Sequence, residues 1–346
     1  MPESSSSPRS APRVTIADIA QRAGVSKPTV SRALNGHPDV GGETRQRIQR
    51  IADDLGYVPS SLARSLRTGR HDTLGLLMPL SQWWGYADIQ YGIAEETARR
   101  GLHLLVHPLR PGEDAEREFV SRTLPTLPVD GLILLMPEGT PRHIGAIARS
   151  STPAVVIDDR GHRLALPYVE STNRSGFREV VRHLARHGRR RIAFVGGQLD
   201  DAFAQERFEG YLDALREANL PYDADLALLP GDREPTDAEI TRLLATGPDA
   251  VAAAWDEIAF SVLTALHTGG HRVPEDVAVT GFDDSPIARV MRPPLTTVRQ
   301  PFRQMGSAAV RMLLDSIEHG TPPAHFTVPT ELVVRASCGS HEPGQP

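Results

Sequence analysis

Residues 25–36 read VSKPTVSRALNG, a short polar stretch with a proline near its start. Ser26 is suited to cap a helix, and Pro28 then falls in the first turn, where a missing N–H costs no hydrogen bond. Helical spacing turns Val30 and Leu34 inward. The outer and leading positions are Lys27, Pro28, Thr29, Ser31, Arg32 and Asn35. Such a helix fits either a small packed bundle or an element that contacts another molecule.

Two amphipathic segments flank that stretch. TIADIAQRAG, residues 15–24, has one apolar stripe at helical spacing, with Thr15 as its cap and a glycine at its end. ETRQRIQRIADDLG, residues 43–56, repeats the stripe and also ends at a glycine. Short helices with a tight turn between the first two predict a helix-turn-helix unit, whose second helix can enter the major groove of DNA. The alternative is a small helical bundle whose second helix is merely polar.

The charge distribution favours contact with DNA. The whole chain has a net charge of -5 at pH 7. Residues 13–70, by contrast, carry ten Lys and Arg against five Asp and Glu. A basic module on an acidic body is typical of a protein that brings one end to a polyanion.

The composition, 40% hydrophobic and 23% charged, is that of a globular protein with more than one compact unit. Residues 1–12 are rich in Ser and Pro without apolar periodicity, so we expect a disordered tail there and a second tail at residues 338–346. No run of about eighteen apolar residues occurs, and MPESSSSPRSAPR lacks the apolar segment of a secretory signal. We therefore expect a cytoplasmic protein.

From His71 onward, short apolar runs alternate with amphipathic helical lengths. The runs are LGLLM, LHLLV, DGLILL, AVVI, RIAFVGG, DAVAAA and VAVTGF. This alternation predicts an α/β core of parallel sheets flanked by helices, in two lobes given its length. Ligands of such lobes bind beyond the carboxyl ends of the strands.

Several side chains directly follow those runs and are candidates for ligand contact. Trp83 and Trp84 follow LGLLM, and Trp255 follows DAVAAA. Aromatic faces stack on the C–H faces of sugars. Asp158 and Asp283 follow AVVI and VAVTGF, where carboxylates can accept hydrogen bonds from hydroxyls. Arg207 can supply a fork of donors.

Some of these positions have alternative roles. Trp83 and Trp84 could line a contact between subunits. Asp256 is expected to cap the helix that follows it, and Asp284 to be a turn residue. Neighbouring carboxylates such as Asp283 and Asp284 should point apart, so paired acid and base catalysis has no support.

The sequence offers no support for an enzyme. The chain lacks G-x-S-x-G, G-x-x-x-x-G-K-[ST] and H-E-x-x-H. His183 and His187 have the spacing of a metal pair, but no third ligand is apparent, so we interpret them as a solvated helix face. Cys338, the one cysteine, is expected to be an inert thiol. We expect no catalytic residue, no metal and no cofactor.

VTIADIAQRAGVSKPTVSRALNG, ETRQRI, LGYVPSSLARSLRTGR and LGLLMP together resemble the LacI/GalR family of bacterial transcriptional regulators. The likeness runs from Val14 to about Ser337. It departs at Gly41 and Gly42, where that family commonly has Ser-Pro before the third helix. A glycine cap costs only about a few tenths of a kcal/mol, so the helix should persist.

The resemblance implies a division of the chain. The helix-turn-helix domain would span residues 13–59, a hinge helix 60–70, and an effector-binding and dimerisation core 71–337. Within the core, lobe one would be about 72–168 and 299–327, and lobe two about 169–298 and 328–337. In the family the hinge helix folds on operator DNA, where a paired leucine wedges into the minor groove. Leu66 matches that leucine, and Arg67 matches a basic residue beside it.

The resemblance also implies a set of effector contacts. The matching positions are Asp158, Arg207, Arg233, Asp283, Gln300 and Phe302. Trp255 stands where the family usually has a small polar residue. Its bulk should narrow the pocket, so the ligands of familiar members do not transfer to this chain.

The chemistry of DNA assigns roles to the second helix. Lys27 should donate to guanine acceptors, and Pro28 should touch an apolar group such as a thymine methyl. Thr29, Ser31 and Arg32 are assigned to phosphates and base edges, with Asn35 as a further contact. The full set of expected DNA contacts is Thr15, Ser26, Lys27, Pro28, Thr29, Ser31, Arg32, Asn35, Leu66 and Arg67.

Together these features predict a sequence-specific transcriptional regulator, most simply a repressor that binds a pseudo-palindromic operator as a homodimer. A small-molecule effector, with a sugar as first choice, would control it as either an inducer or a corepressor. No leucine heptad follows Arg335, which favours a dimer over a tetramer. One alternative is a solute-binding protein of a transport system, which needs a secretion signal and has no use for residues 14–70. The other is a carbohydrate-acting enzyme.

Overall fold

The computed structural model describes residues 14–58, 69–80, 83–110, 113–137, 141–158, 166–196, 202–231, 233–320 and 325–339. The chain divides into one unit that ends at His71 and another that begins at Asp72. The expected hinge residues Leu66 and Arg67, like the tail at residues 1–12, lie outside the described residues. Among the described helices, none is long and apolar enough to cross a membrane.

The first unit contains helices α1 Ile16–Ala23, α2 Lys27–Leu34 and α3 Gly42–Asp54. Each turns its apolar stripe toward one shared core, whose buried members are Ile19, Ala20, Ala23, Val30, Ala33, Val40, Ile48 and Ala52. Gly24 ends α1 with φ of 65°, a left-handed conformation that glycine adopts without strain. Helix α3 forms although Gly41 offers it no side-chain cap. The predicted helix-turn-helix arrangement is confirmed.

The second unit alternates strands and helices. Its strands are β1 Thr73–Pro79, β2 His103–Leu109, β3 Gly131–Leu135, β4 Ala154–Ile157, β5 Tyr168–Ser171, β6 Ile192–Val195, β7 Ala227–Leu228, β8 Ala250–Ala253, β9 Ala278–Thr280, β10 Thr297–Arg299, β11 His325–Val328 and β12 Glu331–Val333. Its helices are α4 Gly85–Arg99, α5 Glu113–Glu118, α6 Pro141–Ala148, α7 Asn173–Arg186, α8 Ala202–Glu217, α9 Asp237–Ala245, α10 Asp256–Thr268 and α11 Phe302–His319. Short helical turns lie at Phe119–Thr123, Leu124–Thr126, Ala224–Leu226, Pro286–Arg289 and Ala336–Cys338.

Two parallel sheets organise this unit, as predicted. The first has the strand order β11-β5-β4-β3-β1-β2, and the second has β7-β6-β8-β9. Strands β10 and β12 form a separate antiparallel pair. Strands β1, β3, β4, β6, β8 and β9 are buried on both faces, which is why they read as continuous apolar runs, whereas the edge strand β2 is only partly buried. In β1, for example, Leu76 faces the core under α4 and α11, whereas Leu77 faces the opposite core.

The chain passes between the lobes a few residues later than expected. Strands β5 and β11 belong wholly to the first sheet, so residues 169–171 and Val328 are part of lobe one. Only alternate residues of β5 are buried, so it lacks the kind of apolar run that predicted β1–β4, β6, β8 and β9. The short strands β7, β10, β11 and β12 were not predicted either. Two of the segments that connect the lobes are joined by a hydrogen bond, because the hydroxyl oxygens of Thr172 and Thr330 lie 2.9 Å apart.

Glycines allow close helix contacts in each lobe. A Cβ on Gly92 of α4 would lie 2.1 Å from the carbonyl oxygen of Arg303 in α11. A Cβ on Gly210 of α8 would lie 2.3 Å from the carbonyl oxygen of Arg174 in α7. The obstacles are backbone atoms, which cannot move aside as a side chain can. The two helix pairs are therefore held at backbone contact distance.

Asp256 does not cap α10, so that expectation is wrong. Trp255 occupies the cap position, and Asp256 is the fully buried first residue of the helix. Its carboxylate accepts the N–H of Ser285 at 2.7 Å and the hydroxyl of Thr297 at 2.6 Å. Burial and the nearby charge of Asp283 raise the pKa of Asp256 to about 8 against the effect of these hydrogen bonds. Asp256 thus joins α10 to the segment that leads back toward lobe one.

Cys338 does not belong to the tail that we expected at residues 338–346, because it is 1% exposed. Its Sγ lies 3.3 Å from Nε2 of His183 and 3.1 Å from Oγ1 of Thr296. His183 is half-buried against this turn, so the expected solvated face holds only for the exposed His187. Within the described residues no group of three metal-ligating side chains occurs.

We expect Gly92→Ala to lower the free energy of unfolding of the second unit by about 1–3 kcal/mol, because the added methyl must displace the backbone of Arg303. Thermal unfolding followed by circular dichroism measures the change. Gly42→Ala is the control, since a Cβ there meets nothing within 4 Å. An unchanged midpoint for Gly92→Ala would show that α4 and α11 are not in backbone contact.

We expect the stability of the second unit to fall as pH rises from about 6 to about 8. The pKa of Asp256 is about 8 in the native protein against an ordinary value of 3.8, so in this window the native state holds a proton that the unfolded chain has lost. Asp256→Asn, which imitates the protonated acid, should make this decline shallower in urea unfolding. The exposed Asp225→Asn is the control. A decline as steep as that of the wild type would contradict the assignment.

Candidate DNA-reading helix and effector cleft

Helix α2 presents the expected polar face. Oγ of Ser26 accepts the N–H of Thr29 at 3.3 Å, and Pro28 lies in the first turn, as predicted. Val30 and Ala33 are buried in the helical core. Of the residues expected to contact DNA, the exposed ones on this helix and its caps are Ser26, Lys27, Pro28, Arg32 and Asn35, and the half-buried ones are Thr29 and Ser31.

Part of this polar face is already hydrogen-bonded within the unit. The hydroxyls of Ser26 and Thr29 lie 2.8 Å apart. Nδ2 of Asn35 donates to the carbonyl of Ser31 one turn earlier. These hydrogen bonds hold the side chains of Ser26, Thr29 and Asn35 against the helix. The three side chains therefore extend less far from the helix axis than their length allows.

The charged members of the set differ in their surroundings. Nη1 of Arg32 donates to Oδ2 of Asp39 at 3.1 Å. At the start of α1, the N–H and hydroxyl of Thr15 donate to Asp18 at 2.8 and 2.7 Å, which lowers the pKa of that carboxyl. Lys27 of α2, by contrast, makes no ion pair within the described part of the chain. Lys27 is therefore a cation of this face whose charge is not already paired with an acid of the described residues.

In the second unit, Arg207 of α8 is the centre of a buried network. Its Nε donates to Oδ1 of Asn173 at 3.0 Å, its Nη1 to the carbonyl of Ala254 at 2.8 Å, and its Nη2 to Oδ1 of Asp283 at 3.3 Å. The guanidinium carbon lies 3.9 Å from the centre of the Phe282 ring. A buried cation is thus fixed by one opposite charge, two neutral acceptors and an aromatic face.

Gln300 extends this network to the first lobe. Its Nε2 donates to Oδ1 of Asp283 at 2.8 Å, and its Oε1 accepts the hydroxyl of Ser171 at the end of β5. The predicted residues Arg207, Asp283 and Gln300 therefore meet at the carboxyl ends of strands from both lobes. Asp283 has φ of 109°, a conformation that non-glycine residues rarely adopt.

Asp158 lies near this network without bonding to it. It follows β4 with φ of 52° and is 8% exposed, yet its carboxylate makes no hydrogen bond with the described residues. Burial raises its pKa to about 7, although the charge of Arg207 opposes this. Burial likewise raises the pKa of Glu206 to about 7 and that of Asp283 to about 6. Several carboxyl groups thus surround one guanidinium.

Trp83, Trp84 and Phe302 form an aromatic wall on the first lobe. The ring centres of the two tryptophans lie 5.2 and 5.4 Å from that of Phe302. Nε1 of Trp84 is buried and finds no acceptor among the described residues. Trp84 and Phe302 line a cavity of about 230 Å³ together with Asp283 and Gln300. The wall and the hydrogen-bond network therefore border the same space.

The remaining candidates are placed differently. Trp255 follows Ala254, whose carbonyl accepts from Arg207, so it adjoins the network. Arg233 is half exposed and donates to both carboxylate oxygens of Glu239 at 2.9 and 2.7 Å, which lowers the pKa of that carboxyl. Arg233 is thus bound to the first turn of α9.

Asp284 is more than a turn residue, which corrects our expectation. It is 8% exposed and accepts hydrogen bonds from Arg299, at 2.8 Å, and from Arg335. Burial opposes its ionisation, but the two arginines outweigh that effect and lower its pKa. Asp283 and Asp284 contact different partners and point apart, as predicted.

The sequence reasoning missed Ser171, Asn173, Glu206 and Phe282. Ser171 and Asn173 flank the end of β5, a strand that the apolar pattern does not reveal. Glu206 and Phe282 are the immediate neighbours of residues that were predicted. The signal that could have identified Glu206 and Phe282 is that each lies next to a predicted residue in the sequence.

Known proteins resemble this chain along nearly its whole length. The model of bacterial regulatory proteins of the lacI family matches residues 15–60, and that of the periplasmic binding protein-like domain matches residues 181–338. The HTH-type transcriptional regulator CelR of Thermobifida fusca is 36% identical over 340 residues, which cover 94% of this chain and 98% of that protein. The HTH-type transcriptional repressor PurR of Pasteurella multocida is 30% identical over 332 residues, covering 94% and 99%.

Solved structures agree. A complex of the transcriptional regulator CelR with cellobiose is 32% identical with a TM-score of 0.71, covering 94% of this chain and all of that one. The lac repressor dimer bound to operator and the anti-inducer ONPF is 26% identical with a TM-score of 0.83, covering 94% and 99%. Sequence identity across whole chains and the match over α1 to α3 lead to one conclusion: the chain belongs to the lacI family of bacterial regulatory proteins and is a DNA-binding transcriptional regulator.

Proposed function

We propose that this regulator is a repressor that binds a pseudo-palindromic operator as a homodimer in the cytoplasm, and that a small uncharged sugar controls its operator affinity. The observation that carries the proposal is the buried chain from Gln300 through Asp283 to Arg207, beside the aromatic wall of Trp84 and Phe302. Two relatives support it, since a CelR regulator has been solved with cellobiose and the lac repressor dimer on its operator.

The chemistry of the cleft favours a ligand that is rich in hydrogen-bond donors. The carboxylate of Asp158 is buried and unbonded to described residues, so sugar hydroxyls can donate to it. Trp84 and Phe302 offer faces for the C–H side of a sugar ring. The buried N–H of Trp84 adds one donor for a ring or hydroxyl oxygen.

The charge balance disfavours an anionic ligand. The positive charge of Arg207 is already paired with Asp283, and Asp158 and Glu206 stand nearby. The arginines that line the cavity, Arg289, Arg299 and Arg303, are each paired with an acid. A phosphate or carboxylate would therefore find no unpaired cation among these residues, and it would approach the partly ionised Asp158 and Glu206 where water screens charge poorly. An uncharged sugar avoids this cost.

Binding at this position can control DNA affinity because the site contains groups from both lobes. A ligand that contacts Asp158 in the first lobe and Arg207 or Asp283 in the second stabilises one arrangement of the lobes over others. Only such differential binding shifts an equilibrium. An inducer favours the arrangement with weak operator affinity and a corepressor the opposite one. We propose that the hinge expected at residues 60–70, with Leu66 and Arg67, transmits this difference.

A binding titration tests the function as a whole. The full-length protein is titrated onto a labelled duplex from upstream of its own gene and onto a scrambled duplex, each with and without a panel of mono- and disaccharides. We expect preference for the upstream duplex and a change of about 5- to 150-fold with at least one sugar, whose direction identifies inducer or corepressor. Equal binding to both duplexes, or indifference to every sugar that raises the melting temperature, would overturn the proposal.

We expect Lys27→Ala to relax operator preference at one base pair of each half-site by about 1–3 kcal/mol, because Lys27 is exposed and unpaired within the described residues. Affinities for duplexes substituted one base pair at a time measure it. Arg47→Ala, at an exposed position of α3, removes the same charge from the same unit and should leave base preference unchanged. Equal weakening on all duplexes would instead make Lys27 a phosphate contact.

We expect cellobiose to raise the melting temperature of the protein and cellobiose 6-phosphate to leave it unchanged, because the phosphate would face Asp158 and Glu206. Asp158→Asn should weaken cellobiose binding by about tenfold or more, since the amide replaces one of the two carboxyl oxygens with a donor. Calorimetric titration measures both, with the exposed Asp225→Asn as control. Stabilisation by the phosphorylated sugar alone would reverse the assignment of ligand charge.

A further inference from the structure

The loop between α2 and α3 places an acid against the reading helix. Oδ2 of Asp39 accepts a hydrogen bond from Nη1 of Arg32 at 3.1 Å. The two side chains are 50% and 60% exposed. Exposed pairs of this kind contribute little to stability, so folding does not explain an acid on a surface that meets a polyanion.

The position of Asp39 is set by the core of the unit and not by its contact with Arg32. The next residue, Val40, is buried among the apolar side chains of the three helices. Arg45 of α3 donates to the carbonyls of His37 at 2.6 Å and Val40 at 3.2 Å. The loop is thus anchored on both sides of Asp39, which therefore presents its carboxylate to the last turn of α2 from a fixed base.

This pairing changes what Arg32 can bind. A guanidinium has five N–H donors, and Asp39 occupies one of them. The others still include pairs suited to two neighbouring acceptors, such as O6 and N7 of guanine. A phosphate attracts net charge, however, and the pair of Arg32 with Asp39 carries almost none. Asp39 also repels a phosphate that approaches Arg32 closely.

We propose that Asp39 is a positioning residue that directs Arg32 to a guanine in the major groove and away from the phosphates. This inference depends on the proposed role of α2 as the reading helix. It decides between the two roles, phosphate and base edge, that the sequence left open for Arg32. The pair of residues, and not Arg32 alone, is then the unit that reads the base.

The test uses the full-length protein and its preferred duplex, selected from a pool with randomised half-sites. Affinities are measured for duplexes that replace each guanine in turn, at several salt concentrations. Asp39→Asn keeps the size of the side chain and removes its charge. We expect the preference for one guanine per half-site to fall from about tenfold or more to under about threefold, while preferences elsewhere stay as they are.

Salt dependence gives an independent readout. Once Asp39 no longer holds Arg32, the guanidinium can contact a phosphate, and each such contact steepens the slope of log affinity against log salt by about 0.9. Asp53→Asn is the matched control, because Asp53 is an exposed acid of the same unit that bonds to Gln49 at 3.1 Å and not to Arg32. It removes the same charge and should leave the guanine preference intact.

A double variant isolates the coupling. Arg32→Lys cannot offer two parallel donors, so it should lose the guanine preference by itself, and adding Asp39→Asn should then change that preference no further. Equal strengthening of binding to every duplex by Asp39→Asn, or no effect at all, would overturn the inference and leave the regulatory function standing. A wild-type protein that selects no sequence from the pool would refute the proposed function itself.

Discussion

A buried positive charge is out of reach of water and must be stabilised by acceptors and opposite charges of the protein itself. In this protein the buried charge is the guanidinium of Arg207. Its partners come from the start of α7, the end of β8 and the segment after β9. The charge therefore fixes how three parts of lobe two meet at one edge of the sheet. Removing any one partner leaves a buried donor unsatisfied, so the candidate ligand site and the packing of the lobe cannot vary independently.

The two neighbouring acids after β9 connect that charge to the passages between the lobes. Asp283 turns inward to Arg207 and Gln300, whereas Asp284 turns toward Arg299 and Arg335 on the passing segments. One peptide bond separates the network around Arg207 from the contacts with the segments that connect the lobes. A displacement of Asp283 would therefore also displace Asp284 and its two arginine partners.

Much of the fold could be predicted because its elements have local signals. The helical stripes and caps revealed α1 to α3, and apolar runs revealed the strands that are buried on both faces. Strand β5 escaped because only alternate residues are buried. Asp256 and Cys338 were misplaced because their partners, Thr297 and His183, lie far away in the chain. Periodicity and capping rules describe neighbours in sequence and carry no information about such contacts.

The same distinction holds for the candidate sites. Asp158 and Asp283 were predicted as effector contacts because each follows a strand, and the resemblance to the family supported the same two residues. No pattern foretold the pairing of Arg32 with Asp39, because it depends on the path of a loop anchored by Arg45.

Asp158, Asp283 and Asp284 share a backbone property, with φ of 52°, 109° and 55°. Such conformations cost a non-glycine residue about 1–3 kcal/mol each, and glycine or asparagine would adopt them more easily. Asp283 and Asp284 offset this cost through their bonds to Arg207, Arg299 and Arg335, whereas the carboxyl of Asp158 bonds to none of the described residues. Selection for stability alone would therefore remove Asp158. A lineage that had lost its effector should drift toward glycine or asparagine at this position and gain stability as it did so. Comparison of sequences across related bacteria would then record where the response to a ligand has been abandoned.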